Sequence, residues 1–257
     1  MEAPQQCELA AKNATPQGDT GLGLRAVCKV DAAHLCNSNF SSATIYYPES
    51  GTQLPSIVIV GGWGCGEHAL AAWAPFYASH GIVAMTIGMP APWKDACQAR
   101  SRALLEASTA LQSENVRAGS VLLGRLNTAR RAVQGYSLGG GGAQLAALQD
   151  PTLSCCIAIC PADATEHGEG PFPEELSSSV PVLIFCAEED TAAIPQKNAW
   201  PHYHKTRAAK LIFEARGGSH YFANGPAGDG TESELTAGSD MAACNYLCAS
   251  CCGCAKE

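Results

Sequence analysis

The residue with the most chemical promise is Ser137, set between two glycines in Gly135-Tyr136-Ser137-Leu138-Gly139. The apolar run Arg131–Tyr136 precedes it, and the small-residue helical pattern Gly139-Gly-Gly-Gly-Ala-Gln-Leu-Ala-Ala follows. A G-x-S-x-G held between strand and helix is a nucleophile elbow. The sharp turn lifts the hydroxyl above the sheet, the glycines remove side chains that would clash, and the helix N-terminus lends partial positive charge. A serine hydroxyl is a poor nucleophile by itself, so it requires a base, and the base requires an acid to orient it.

Seven histidines could supply the base. His220 ends the glycine loop Arg216-Gly-Gly-Ser-His220, just past the run Lys210–Glu214. His80 reads as a helix C-cap before Gly81, and His202 and His204 in Pro201-His-Tyr-His-Lys205 are expected to face solvent. His34 and His167 fall in loops, and His68, the main rival, precedes the serine in the chain. Elbows of this kind use the order serine, acid, histidine, which selects His220. Asp190, just beyond the strand pattern Val182–Cys186, is the favoured acid; Asp163, Glu188 and Glu189 remain alternatives. The negative oxygen of an acyl-transfer intermediate needs two N–H donors. Leu138, after the nucleophile, is one, and the glycine-rich Gly61-Gly62-Trp63-Gly64-Cys65-Gly66 offers the other at Trp63.

These residues need a scaffold that brings loop ends together. Strand patterns run over Leu24–Val30, Ala43–Tyr47, Ser56–Val60, Ile82–Ile87, Arg131–Tyr136, Ser154–Cys160, Val182–Cys186 and Lys210–Glu214. Helical patterns occupy Ala69–Ser79, Ala96–Gln112, Gly139–Gln149 and Pro195–Lys205. Alternation of this kind specifies an α/β fold with a mostly parallel central sheet flanked by helices on both faces. The first two strands have no helix between them, which predicts an antiparallel start. One domain is expected over residues 1–257, with an N-terminal extension over 1–23 and a Cys-rich closing helix within 226–257.

Composition excludes several classes. Lys and Arg number 16 against 24 Asp and Glu, a net charge of -8 with no basic block, so neither nucleic acid nor an anionic membrane surface is an expected partner. The apolar runs are strand length, well below the ~20 residues of a membrane helix. With 46% hydrophobic residues the chain has enough apolar surface for a sizeable core. Fourteen cysteines are many for a reducing cytosol, and a secreted monomer is expected although Met1-Glu2-Ala3-Pro4 begins no visible signal peptide. Cys28 and Cys36 are candidates for a bridge across an early turn. Cys244, Cys248, Cys251, Cys252 and Cys254 support a different class of reading, a metal-binding module, although two C-x2-C pairs set apart at finger spacing are missing.

Four segments, Ser79–Ile87, Gly135–Gly142, Val182–Pro195 and Gly217–Asn224, resemble the bacterial cutinase and polyester-hydrolase family that includes PET hydrolases. The resemblance runs in the same order from about Ala43 to Asn224. It implies an α/β-hydrolase fold and cofactor-free hydrolysis of small-molecule or polymeric esters, with no metal. Ser137, Asp190 and His220 would form the triad, with Trp63 and Leu138 at the oxyanion hole. Tyr136, Ala192 and Tyr221 would touch substrate. Departures bear on the substrate: Pro161–His167 lacks the family's aromatic clamp, Leu138 replaces Met, and Phe222 stands where some members carry a bridging cysteine. A chlorophyllase-like or small-molecule esterase is the alternative within the fold.

Overall fold

A computed structural model describes residues 6–8, 22–163, 172–177 and 179–222. The closing helix expected within 226–257, its cysteine cluster and His167 lie outside the described residues. Nine strands form one sheet: β1 (Gln6–Glu8), β2 (Val27–Asp31), β3 (Ser42–Pro48), β4 (Leu54–Val60), β5 (Val83–Gly88), β6 (Leu126–Tyr136), β7 (Cys155–Ile159), β8 (Val182–Ala187) and β9 (Lys210–Ala215). Their spatial order is β1-β2-β3-β5-β4-β6-β7-β8-β9. Pairing is antiparallel from β1 to β5 and parallel from β5 onward, so the antiparallel start is borne out.

Among the described residues four α-helices form: α1 (Trp73–Ser79), α2 (Cys97–Ser113), α3 (Leu138–Gln149) and α4 (Ala199–Lys205). Every residue of β5 is buried, as a strand covered on both faces requires. On α2, Ala103, Leu104, Ala107 and Leu111 form a fully buried stripe at helical spacing. Residues Leu138–Ala147 of α3 are all buried. Their small size lets the helix approach closely: a Cβ on Gly142 would stand 2.8 Å from Cβ of Arg100 on α2.

Several boundaries differ from the sequence pattern. The segment Ala69–Ser79 divides into a 3-10 turn, Glu67–Leu70, and then α1. Pro75 and Pro201 sit in the first turns of α1 and α4, where a missing N–H breaks no intrahelical bond. Accordingly α4 begins at Ala199 and not at Pro195. Strand β6 starts five residues earlier than its apolar run, because Leu126 pairs with Leu54 across a register shift.

Two expectations about side chains are overturned. Cys36 carries a free thiol while Cys28 is disulfide-bonded, so these two are not joined. His202 does not face solvent; it is 2% exposed, stacked on Phe172 with ring centroids 4.4 Å apart and hydrogen-bonded through Nδ1 to Gln144 Nε2 at 3.0 Å. It lies on the face of α4 turned to Gln144 of α3 and to Phe172, which the polar neighbours in Pro201–Lys205 conceal. Burial pushes its imidazole down to about 4; the negative charge of Asp163 opposes that shift and Lys205 adds to it.

Candidate active site

Strand register assembles the site at the carboxyl edge of the sheet. Val60 of β4 is opposite Gly135 of β6, so the loop Gly61–Gly62 emerges beside Tyr136 and Ser137. The chain steps from β4 to β5 on one side and later to β6 on the other. A crevice at such a switch point is where open α/β sheets bind ligands. Ala187 of β8 is opposite Ala215 of β9, which brings together the loops carrying Asp190 and His220. Glu188 Oε2 accepts from Gly217 N at 3.0 Å and Glu189 N donates to Gly218 O at 2.9 Å, tying those loops to each other.

Ser137 is the N-cap of α3, with φ 56° and ψ −121°. That conformation is strained for a side-chain-bearing residue, and its surroundings enforce it. Ser137 N donates to Ile159 O at 2.9 Å, while its carbonyl accepts from Gly141 N at 3.1 Å and Ala162 N at 3.0 Å. A Cβ on Gly135 would lie 1.8 Å from Gly139 O, so no other residue fits there. As the first residue of α3, Leu138 has an N–H with no intrahelical partner.

His220 Nδ1 lies 2.7 Å from Asp190 Oδ2, with the side chains 9% and 0% exposed. The other oxygen, Oδ1, accepts from Ala192 N at 2.9 Å and Ala193 N at 2.7 Å. Burial alone would raise the pKa of Asp190. The hydrogen bond and charge of His220, with the two backbone donors, outweigh it and hold the carboxyl below its ordinary range. A proton on Nδ1 shared with the carboxylate leaves Nε2 as the basic nitrogen. The carboxylate that His220 Nδ1 contacts is that of Asp190.

Tyr136, which the resemblance places against substrate, is buried in a core group with Ile57, Ile59, Tyr77 and Ile159. Its hydroxyl donates to His220 O at 3.1 Å and the two rings stand 5.0 Å apart. It therefore links the strand leading to Ser137 with the histidine loop. Ala192 is exposed beside Asp190, and Tyr221 meets the His220 ring edge-on at 5.6 Å. Trp63 is half-buried; its indole N–H donates to Trp93 O at 2.8 Å, and the two rings meet edge-on at 5.0 Å.

Three neighbours of this site have no signature in the sequence. Trp93, 47% exposed, gives the loop after β5 an aromatic wall against Trp63. Arg100 reaches the carbonyls of Gly61 and Gly62. Cys160 at the end of β7 is buried in a left-handed conformation, φ 40°, with its sulfur within 4.8 Å of ligand atoms of Asp190 and His220. Burial first, then the charge of Asp190, push its thiol pKa upward and keep it protonated. Cys160, Asp190 and His220 have the chemical types of a metal triad. Two ligands on one tetrahedral ion stand roughly 3.3 Å apart or more. The 2.7 Å separation of Nδ1 and Oδ2 is a hydrogen bond, and an ion would have to break it.

A mostly parallel sheet flanked by helices, a serine in a strained strand-to-helix turn and a buried acid–histidine pair on loops at the same carboxyl edge are the arrangement of an α/β-hydrolase. A family model described as PET hydrolase-like matches residues 20–235. Cutinase 1 of Thermobifida cellulosilytica is 30% identical over 210 residues, covering 81% of this chain and 76% of its own length. A cutinase of Thermobifida fusca is also 30% identical over 210 residues, covering 81% and 66%. A bis(hydroxyethyl) terephthalate hydrolase of Streptomyces coelicolor is 29% identical over 206 residues, covering 79% and 62%. The chain belongs to the PET hydrolase-like family.

Proposed function

We propose that this protein hydrolyses polymeric carboxylic esters by acyl transfer, with Ser137 as nucleophile, His220 as base and Asp190 as the acid that orients it. The observation that carries the reading is the His220–Asp190 contact at 2.7 Å, on loops brought to the same sheet edge as the strained Ser137. His220 Nε2 takes the hydroxyl proton as Ser137 Oγ attacks the ester carbonyl, and Asp190 stabilises the resulting imidazolium. The backbone N–H groups of Trp63 and Leu138 receive the negative oxygen. The imidazolium returns its proton to the leaving alcohol. A water molecule, deprotonated by His220, then attacks the acyl-enzyme and releases the acid.

The relatives' names, cutinase and bis(hydroxyethyl) terephthalate hydrolase, favour polyester chains as substrate class. The Trp63–Trp93 pair supports it by offering an aromatic surface beside the oxyanion loop. The disulfide at Cys28 supports a secreted protein, because such bonds persist in oxidising compartments. Among the described residues, no helix is long and apolar enough to cross a membrane.

The test is hydrolysis of p-nitrophenyl butyrate and of polyester film by wild type and Ser137→Ala. Ser137→Ala should lose at least about 10⁴-fold in kcat and should resist labelling by a fluorophosphonate. Activity of the variant near wild type would overturn the assignment. A wild type that cleaves the short ester but leaves every polyester film intact would overturn the substrate class alone.

A further inference from the structure

Arg100 lies in the first turn of α2 and is completely buried, at 0% exposure. Its Nε donates to the carbonyl of Gly61 at 3.0 Å and its Nη2 to the carbonyl of Gly62. Nη1 donates to the carbonyl of Asp95, and Nη2 also to that of Pro92 at 3.2 Å. One buried cation thus gathers four main-chain carbonyls from the loop after β4 and the loop after β5. A planar guanidinium with five fixed donors suits this work, and a lysine ammonium cannot reproduce the fork.

The direction of these bonds matters for the chemistry. In a trans peptide the carbonyl and the next residue's N–H point to opposite sides, and there is no cis peptide bond among the described residues. Drawing the Gly62 carbonyl toward Arg100 therefore turns the Trp63 N–H away from it. Gly62 itself rests against the nucleophile: a Cβ placed on it would lie 2.6 Å from Ser137 Cβ and 3.2 Å from Ser137 Oγ. The peptide that Arg100 grips on one edge is consequently the one that borders Ser137.

We propose that Arg100 is a positioning residue for ester hydrolysis, fixing the Gly62–Trp63 peptide so that the Trp63 N–H meets the transition-state oxygen. Its charge on the carbonyl edge also polarises that peptide, which strengthens the N–H as a donor when negative charge builds on the acyl oxygen. The inference rests on the proposed roles of Ser137 and the Trp63 N–H.

The experiment uses the full chain as wild type, Arg100→Lys, Arg100→Ala and, as a control, Arg102→Ala, whose side chain is on the exposed face of the same helix. Arg100→Lys should lower kcat for p-nitrophenyl butyrate by about 100-fold with KM changed less than about threefold, because the interaction acts in the transition state. Affinity for an alkyl trifluoromethyl ketone, whose adduct places an anionic oxygen at the same donors, should fall by a similar factor. Millimolar guanidinium should restore part of kcat to Arg100→Ala, whereas methylammonium should not. Arg102→Ala should match wild type. Folded Arg100→Lys with kcat within about threefold of wild type would overturn the proposal. A loss that follows melting temperature, with no guanidinium rescue and unchanged ketone affinity in the folded fraction, would overturn it too. Failure of the underlying reading is separable, since it would show as an active Ser137→Ala.

Discussion

Glu114 and Asp190 are both buried carboxylates with a histidine against them, and their surroundings give them different work. Glu114, the C-cap of α2, lies 3.0 Å from His34 Nε2 with its side chain 2% exposed, while His34 is 44% exposed. Arg117 also donates to Glu114 through Nε at 2.6 Å and Nη2 at 2.7 Å, and Ser120 Oγ donates at 2.7 Å. Burial would raise the pKa of Glu114. The bonds from Arg117, Ser120 and His34, with the charge of Arg117, reverse that and bring it to about 2. Asp190 instead shares its carboxylate between the His220 imidazole and the backbone N–H groups of Ala192 and Ala193, which are neutral donors.

A histidine thus stands against each carboxylate, and the arrangement of donors tells the two apart. Ser120 donates its hydroxyl hydrogen bond to the carboxylate, so that O–H is not directed to an imidazole base. The permanent charge of Arg117 already balances Glu114, leaving little field to stabilise an imidazolium on His34. At Asp190 the histidine is the hydrogen-bonded partner that can carry the compensating charge, and the water-poor setting strengthens that coupling. On the proposed roles, an acid–histidine contact serves catalysis when the acid's charge is kept for the histidine.

The largest expected effect is on rate. Asp190→Asn should lower kcat for a short ester by about 10⁴-fold while retaining the fold, since the amide no longer enforces the required tautomer. Glu114→Gln should leave kcat/KM of the folded protein within about twofold. Measuring both variants on one ester decides the matter. Equal losses of rate in two well-folded variants would break the distinction drawn between the pairs.

Much of this division is legible in the chain, because local rules govern its outline. Gly135 and Gly139 flank Ser137 at the spacing that an elbow demands, and strand order leads to His220 and Asp190. The mostly parallel sheet follows from alternating periodicities. What stays hidden depends on distant partners. Arg100 and Arg102 look alike in Ala99-Arg-Ser-Arg102, yet the first meets carbonyls 38 and 39 residues away and the second is exposed. His202 and His204 are likewise two residues apart on a short polar helix, and only the packing of α4 against Gln144 of α3 and Phe172 buries the first. Cys160 shows as a small apolar residue ending a strand; its place beside Asp190 comes from β7 lying next to β8.

A smaller effect should appear in stability toward acid. Glu114 has its pKa lowered in the folded protein from 4.5 to about 2, so the unfolded chain binds the proton more readily. Its contribution is complete above pH 4.5 and is lost as pH falls from there through about 2. Urea unfolding of wild type and Glu114→Gln at several pH values should therefore converge across that window. Asp190, also lowered, adds a loss of the same sign in both proteins. A gap between the two proteins that stays constant from pH 5 to pH 2 would show that Glu114 contributes shape and not charge.

The smallest effect belongs to His34. Removing its imidazole leaves Arg117 and Ser120 on Glu114, and the lost partner is nearly half exposed. His34→Ala should cost less than about 1 kcal/mol at neutral pH, within the range of an exposed ion pair. It should also leave the ester rate unchanged, whereas His220→Ala should abolish that rate. Urea titration of His34→Ala, read beside Arg117→Ala, ranks the two donors. A loss above about 2 kcal/mol for His34→Ala, exceeding that for Arg117→Ala, would mean the histidine is the main holder of Glu114. The two acid–histidine pairs would then differ less in electrostatics than their geometry implies, and exposure of the imidazole would have to carry the proposal that only one of them serves catalysis.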